Sequence, residues 1–220
     1  MKLTTALAPA ILAMAVAFSS PAAAALTVID FEGDATGVRS EGFASSDYAG
    51  LKLYSDRGAG LEIRDYSPQT QGKGLLVRTD IDGNFLRGVF EDGGHTFLSL
   101  DFGNDDAAYL NATDRAVLTV FFGGAQVGQT IFAPNLNDLM DQTISFDGVH
   151  FDSFTFAFAN VAGAPTTGGG DLNTGLIEVV DNISFGSLGS PVPEPYAWAL
   201  MILGFGAVGA TLRRHRFAVA

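Results

Sequence analysis

Residues 151–160 read FDSFTFAFAN, and the alternation within them decides the fold. Phe154, Phe156 and Phe158 recur at every second position, with Thr155 and Ala157 between them. A period of two puts three rings on one face of a β-strand and small residues on the other, whereas a helix would scatter the rings around its axis. Residues 96–102, TFLSLDF, repeat the pattern, with Leu98, Leu100 and Phe102 set against Ser99 and Asp101. Working outward, short apolar runs at 26–31, 51–54, 60–64, 74–79, 85–90, 116–122, 129–133, 142–146 and 176–185 read as further strands. Turn signals separate them: Asp82-Gly83, Asp92-Gly93-Gly94, Gly123-Gly124 and Asp147-Gly148. No amphipathic helix falls among them, only a short helical turn predicted over 134–141. The fold class is therefore all-β, an antiparallel two-sheet β-sandwich of jelly-roll-like type over residues 26–187.

The two ends follow different rules. The amino terminus has a charge at Lys2, an apolar stretch over 6–18, then Ser19, Ser20 and Pro21 ahead of four alanines, Ala22 to Ala25. That is the layout of a secretory signal peptide, helical when intact, with cleavage after Ala24 or Ala25. At the other end an apolar run over 196–212 is followed by Arg213, Arg214 and Arg216. Such cations hold their flank on the cytoplasmic side, so the run reads as a transmembrane helix and 213–220 as a basic cytoplasmic tail. At about 1.5 Å per residue the helix covers roughly 24 Å, short of a hydrocarbon layer of about 30 Å. A short span of this kind suits a transient stop-transfer element at least as well as a permanent anchor. Residues 188–195 form a linker containing Pro193-Glu194-Pro195, in which the prolines fix φ near −65° and favour an extended chain.

Pro193, Glu194 and Pro195, followed by Trp198 and Ala199, a glycine-studded apolar run and the cluster Arg213, Arg214 and Arg216, resemble the PEP-CTERM sorting signal in its PEPxxWA variant. The resemblance implies recognition by exosortase, an integral-membrane transpeptidase-like enzyme, and removal of the tail at or near Pro-Glu-Pro. The chemistry would then belong to the partner. Gly204-Phe205-Gly206-Ala207-Val208-Gly209 matches a dinucleotide-binding pattern by chance, because no strand precedes it and no acidic residue follows at the required distance.

Removing both processed segments leaves 8 basic residues against 23 or 24 acidic ones, a net charge of −15 or −16. A field of that sign argues against nucleic acid and anionic membranes as partners of the mature body, and is compatible with divalent cations or basic partners. No cysteine is present, so no disulfide braces the exported domain.

The last predicted strand, 176–185, contains Ile177, Val179, Ile183 and Phe185 on one face with Asp181 among them. An unbulged strand would aim that carboxylate at the core at a cost of several kcal/mol unless it is paired. Either it meets a partner or a bulge turns it outward. Jelly-roll carbohydrate-binding modules offer a weak resemblance here, with an acidic residue after the first strand and another on the last sharing a structural calcium. By that resemblance Glu32 and Asp181 are metal ligands, with Asp30 or Asp56 as additions. Asp80-Ile81-Asp82-Gly83-Asn84 and Gly103-Asn104-Asp105-Asp106 read instead as a hairpin turn and a solvated loop, and the Asn111-Ala112-Thr113 sequon as incidental.

Catalysis has little support: His95 and His150 are the only histidines of the mature region, and no nucleophile elbow or zinc-protease motif occurs. The expectation is a non-catalytic, exported cell-surface or extracellular-matrix protein. Its partners would be signal peptidase, the export machinery, exosortase and exopolysaccharide, with the membrane engaged through the tail before processing. The alternative is a calcium-stabilised lectin-like module, for which Tyr48, Tyr54, Tyr66 and Tyr109 are the candidate stacking rings; a glycoside-active enzyme ranks below both.

Overall fold

Phe154, Phe156 and Phe158 share one strand and are all at most 5% exposed, as the alternation requires. The computed structural model describes residues 26–56, 58, 60–78, 85–108, 110, 113–159, 178–187 and 205. The chain divides into two compact units, Ala24–Ser190 and Met1–Ala23 with Pro191–Ala220. The predicted signal peptide, linker, membrane helix and basic tail lie outside the described residues, apart from Phe205, which is helical and exposed.

Among its described residues the first unit contains twelve strands and no helix: β1 (Thr27–Ile29), β2 (Gly37–Arg39), β3 (Leu51–Ser55), β4 (Leu61–Asp65), β5 (Lys73–Val77), β6 (Leu86–Phe90), β7 (His95–Gly103), β8 (Arg115–Phe122), β9 (Ala125–Phe132), β10 (Gln142–Phe151), β11 (Ser153–Ala159) and β12 (Val179–Gly186). They form two antiparallel sheets. One has the order β10-β7-β12-β5-β4-β2 with β1 also paired to β12, and the other β3-β6-β11-β8-β9. Inward residues of both sheets meet in one core, including Leu98, Leu100, Phe102 and Ile183 from the first and Leu53, Leu118, Phe154 and Phe156 from the second.

Close packing depends on glycine at two places, one within a sheet and one between the sheets. A Cβ on Gly88 of β6 would lie 2.2 Å from the Phe154 ring, which covers the strand beside it. A Cβ on Gly128 of β9 would come equally close, 2.2 Å, to Phe146 of β10, whose ring closes the gap between the two sheet edges.

Two sequence expectations change. The segment over 134–141 is not a helical turn: Leu136 and Asp138 have φ of 62° and 63°, and both amides are held by Asp105 (2.8 and 3.0 Å). Asp105 is accordingly 0% exposed and Asn104 is buried, so 103–106 is not a solvated loop. A carboxylate that accepts two backbone N–H groups tolerates burial that a bare one would not. β2, too short to show a period, is an element the sequence pattern did not reveal.

Gly88→Val is expected to cost about 1–3 kcal/mol by overpacking, and Phe156→Ala about 3–5 kcal/mol by cavity formation. Urea unfolding of the purified protein measures both, and an unchanged midpoint for Gly88→Val would remove the ring from its assigned place.

Candidate functional site

β12 lies between β7 on one side and two strands on the other. β5 pairs with Val179 and Val180, then β1 takes over at Ile183, Ser184 and Phe185. At the junction the β7 register shifts between Asp181 and Ser184, and Asn182 adopts a φ of 47°. This is a β-bulge, and it settles the parity question. Val180, Ile183 and Phe185 enter the main core, while Val179 packs on the outer face with Leu76, Met140 and Tyr66. Asp181 follows Val179 outward, directly opposite Asp101 of β7, which is the bulged alternative of the two that the sequence left open.

Asp181 is nevertheless only 2% exposed. Its Oδ1 accepts the Asn182 amide (2.7 Å), and Asn182 Nδ2 donates to Asp101 Oδ2 (3.0 Å). Burial pushes the Asp181 pKa up to about 7, reinforced by the carboxylates of Asp101, Glu32 and Asp30 against the pull of the Asn182 amide. Asp56 is not one of the carboxylates acting on it. Glu32 and Asp30 thus act on Asp181 through their charge, and the strand register adds Asp101.

The oxygen-only donor set suits a hard cation, yet its atoms are largely engaged. Asp30 Oδ1 accepts the Glu32 amide (3.0 Å) and Glu32 Oε1 the Lys73 amide (2.7 Å). Lys73 Nζ donates to the carbonyls of Glu32 (2.7 Å) and Asp34 (2.9 Å), so an ammonium already sits on the loop oxygens after β1. Among the described residues no group of three or more Asp, Glu or His side chains converges closely enough to hold a metal.

The histidines are placed apart from this cluster. His95 stacks between Phe90 (4.5 Å) and Phe185 (4.8 Å), and its Nε2 lies 3.4 Å from Asp92 Oδ2 without hydrogen-bond geometry. Burial lowers its pKa against the attraction of Asp92. Asp92 accepts the Tyr48 hydroxyl (2.5 Å), a bond that, with burial, pushes Tyr48 up to about 12. His150 is exposed and its Nε2 donates to the Gly93 carbonyl (2.7 Å).

The three described tyrosines are half-buried rather than free platforms. Tyr48 packs on Phe185, Tyr54 carries the Arg87 guanidinium at 4.2 Å, and Tyr66 that of Arg64 at 4.6 Å. Tyr109 lies outside the described residues. A groove of about 210 Å³ opens instead on the outer face of the five-stranded sheet, lined by Phe85, Thr119, Phe121, Gln126, Gln129 and Thr155 among others. Sequence alternation marks Thr119 and Thr155 as outward-facing but cannot say that they are neighbours, because that depends on the pairing of β8 with β11.

The PEP-CTERM protein-sorting motif matches residues 191–216. This chain carries a PEP-CTERM sorting signal. The match covers the predicted Pro193-Glu194-Pro195, Trp198, Ala199 and the three arginines. Such a motif supports export and sorting by exosortase. Among the described residues no helix is long and apolar enough to cross a membrane, and the predicted span lies outside them. No curated protein matches the sequence. Among solved structures, an arabinose-bound MgGH51 α-L-arabinofuranosidase is similar at 11% identity and TM-score 0.46, over 76% of this chain and 27% of that one. A DUF4465 family protein from Bacteroides caccae is similar at 11% identity and TM-score 0.34, over 77% and 90%.

The body has a second buried carboxyl at Glu178, pushed up to about 8 by burial against the amides of Glu178 and Phe158. Glu178 and Asp181 both hold protons more tightly folded than unfolded, so their contribution to stability is complete below about pH 4 and is lost as pH rises through about 7 to 8. In chelator, the melting temperature is expected to fall across that window. Asp181→Asn and Glu178→Gln should each flatten the fall and raise stability at pH 8.5; profiles parallel to wild type would mean that neither carboxyl is buried as described.

Proposed function

We propose that this chain is an exported, non-catalytic cell-surface or extracellular-matrix protein whose tail is a removable delivery element cut by exosortase, and whose body associates with exopolysaccharide. The observation that carries the reading is the sorting motif at residues 191–216. A tripeptide fixed in extended form at the membrane face is the shape a processing enzyme grips, and the arginines hold the precursor in place while it is cut. The body is the cargo, a jelly-roll-like sandwich with its own core. The non-catalytic reading is supported by His95, clamped between two phenylalanine rings, and by His150, whose ring nitrogen is engaged by a carbonyl.

Intact-mass spectrometry of the exported protein, from cells with and without exosortase, tests the reading. The expected product begins after Ala24 or Ala25 and ends near Glu194, and Glu194→Ala or replacement of the three arginines is expected to leave the precursor unprocessed. An exported protein retaining residues 196–220 in the presence of exosortase would overturn it.

The second reading, a carbohydrate-binding module stabilised by calcium, is favoured in its binding half by the groove on the five-stranded sheet. In it, Glu32 and Asp181, with Asp30, hold calcium as a brace for the β1–β5–β12 junction, away from the ligand. Calcium at millimolar concentration is then expected to raise the melting temperature at pH 7.5, chelator to reverse the shift, and Asp181→Asn to abolish it. No shift would leave the Lys73 ammonium as the cation of that loop and remove calcium from the account.

A further inference from the structure

The strand registers of the five-stranded sheet align its outward side chains into rows that cross every strand. Tyr54 pairs with Arg87, Arg87 with Thr155, Thr155 with Thr119, and Thr119 with Gln129. One row toward one end of the strands, Val89, Ser153, Phe121 and Gln126 are neighbours in the same way. One row toward the other end lie Ala157, Val117 and Ile131, with Phe85 just before β6 on the same side. At about 4.8 Å between strands the central row is roughly 19 Å long. The groove follows the Thr155, Thr119 and Gln129 part of this row. A phenyl ring stands to either side, Phe121 on β8 and Phe85 ahead of β6, and the floor is made of the small side chains of Thr155, Ala157 and Thr119. Gln129 Nε2 donates to the Thr119 hydroxyl (3.1 Å), which fixes one amide along the edge.

None of the described residues that line the groove is ionisable, in a chain of net charge −12, and Arg87, next to Thr155 in the row, is held over the Tyr54 ring. An anionic polymer would meet an adverse field with no cation in the groove to hold it. A wholly apolar ligand would bury the threonine hydroxyls and glutamine amides unpaired, at a cost that offsets what its own burial contributes. The surface suits a ligand that alternates hydroxyl groups with C–H faces and carries no charge. We propose that this groove binds a neutral oligosaccharide laid across the strands, its hydroxyls paired with Thr155, Gln126 and Gln129 and its C–H faces against Phe85 and Phe121. The inference rests on the carbohydrate-binding reading above and gives it a location; it is independent of calcium and of the sorting tail.

Titration calorimetry of the purified protein against cello-, laminari-, manno-, xylo- and arabinohexaose, with hexagalacturonate as the charged comparison, tests it. At least one neutral hexasaccharide is expected to bind, in chelator as well as in calcium, and hexagalacturonate is not. Gln129→Ala and Gln126→Ala, both on an exposed edge strand, are expected to weaken binding by about tenfold each, the loss of one hydrogen bond. Thr155→Phe, which fills the floor, is expected to abolish it; thermal melting shows whether that variant is folded, and the glutamine variants decide the matter if it is not. Binding that survives all three substitutions would overturn the groove and leave the carbohydrate-binding reading standing. No binding by any neutral hexasaccharide, or binding of hexagalacturonate alone, would overturn both.

Discussion

The last strand has to change partners in mid-course, and the rest of the body depends on how it does so. β12 pairs with β7 along nearly its whole length, but on its other side β5 stops at Val180 and β1 starts at Ile183. The bulge at Asp181 and Asn182, in the pairing with β7, falls at this changeover, and it reverses the facing of every residue before it. Val180 thereby reaches the same core as Ile183 and Phe185 across what would otherwise be the wrong spacing. The amino-terminal strand of the domain, its middle and its last strand are joined at this one point.

That joint concentrates charge. The ends of β1 and β5 deliver Asp30, Glu32 and Lys73, and the register with β7 delivers Asp101 opposite Asp181. Like charges directly opposite in a sheet repel, and burial of Asp181 adds to the strain. The local answer is hydrogen bonding: the Asn182 amide and side chain bridge Asp181 to Asp101, and Thr143 donates to Asp101 from the far side. The Lys73 ammonium, seated on two carbonyls, gives the loop after β1 a fixed positive charge of its own. Proton uptake, a bound cation and this lysine are three ways to reduce the same repulsion.

How much of this could be read from the sequence follows from what each element depends on. The core of β7 and β11 was legible because alternation is a local property, and Phe154, Phe156 and Phe158 declare it within five residues. β10 runs five residues past its predicted end because Gly148 (φ 154°) continues as strand through a register break instead of turning. The coil at 134–141 has polar and helix-compatible residues, yet Asp105, some thirty positions earlier, holds its amides in another form. The bulge was visible only as a conflict of parity at Asp181, with two resolutions and nothing local to choose between them. Glu32 and Asp181 were legible as a pair; Asp101 was not, since its part is assigned by a neighbouring strand. The Thr155–Thr119–Gln129 row is likewise a product of register alone.

The distribution of polarity over the body separates its two faces. Outside the six-strand path with β1, carboxylates gather at the strand junction and in the loops, where water or a cation can answer them. The groove on the opposite sheet excludes charge and retains neutral donors and acceptors, although the chain has twice as many acidic as basic residues. Lys52 and Arg87 lie on the same outward side of that sheet but outside the groove, Arg87 held over the Tyr54 ring. Neutral amides and hydroxyls between two phenyl rings are the composition that a desolvated, uncharged ligand rewards. The proposed delivery by the tail and the proposed uncharged ligand of the groove rest on separate parts of the chain.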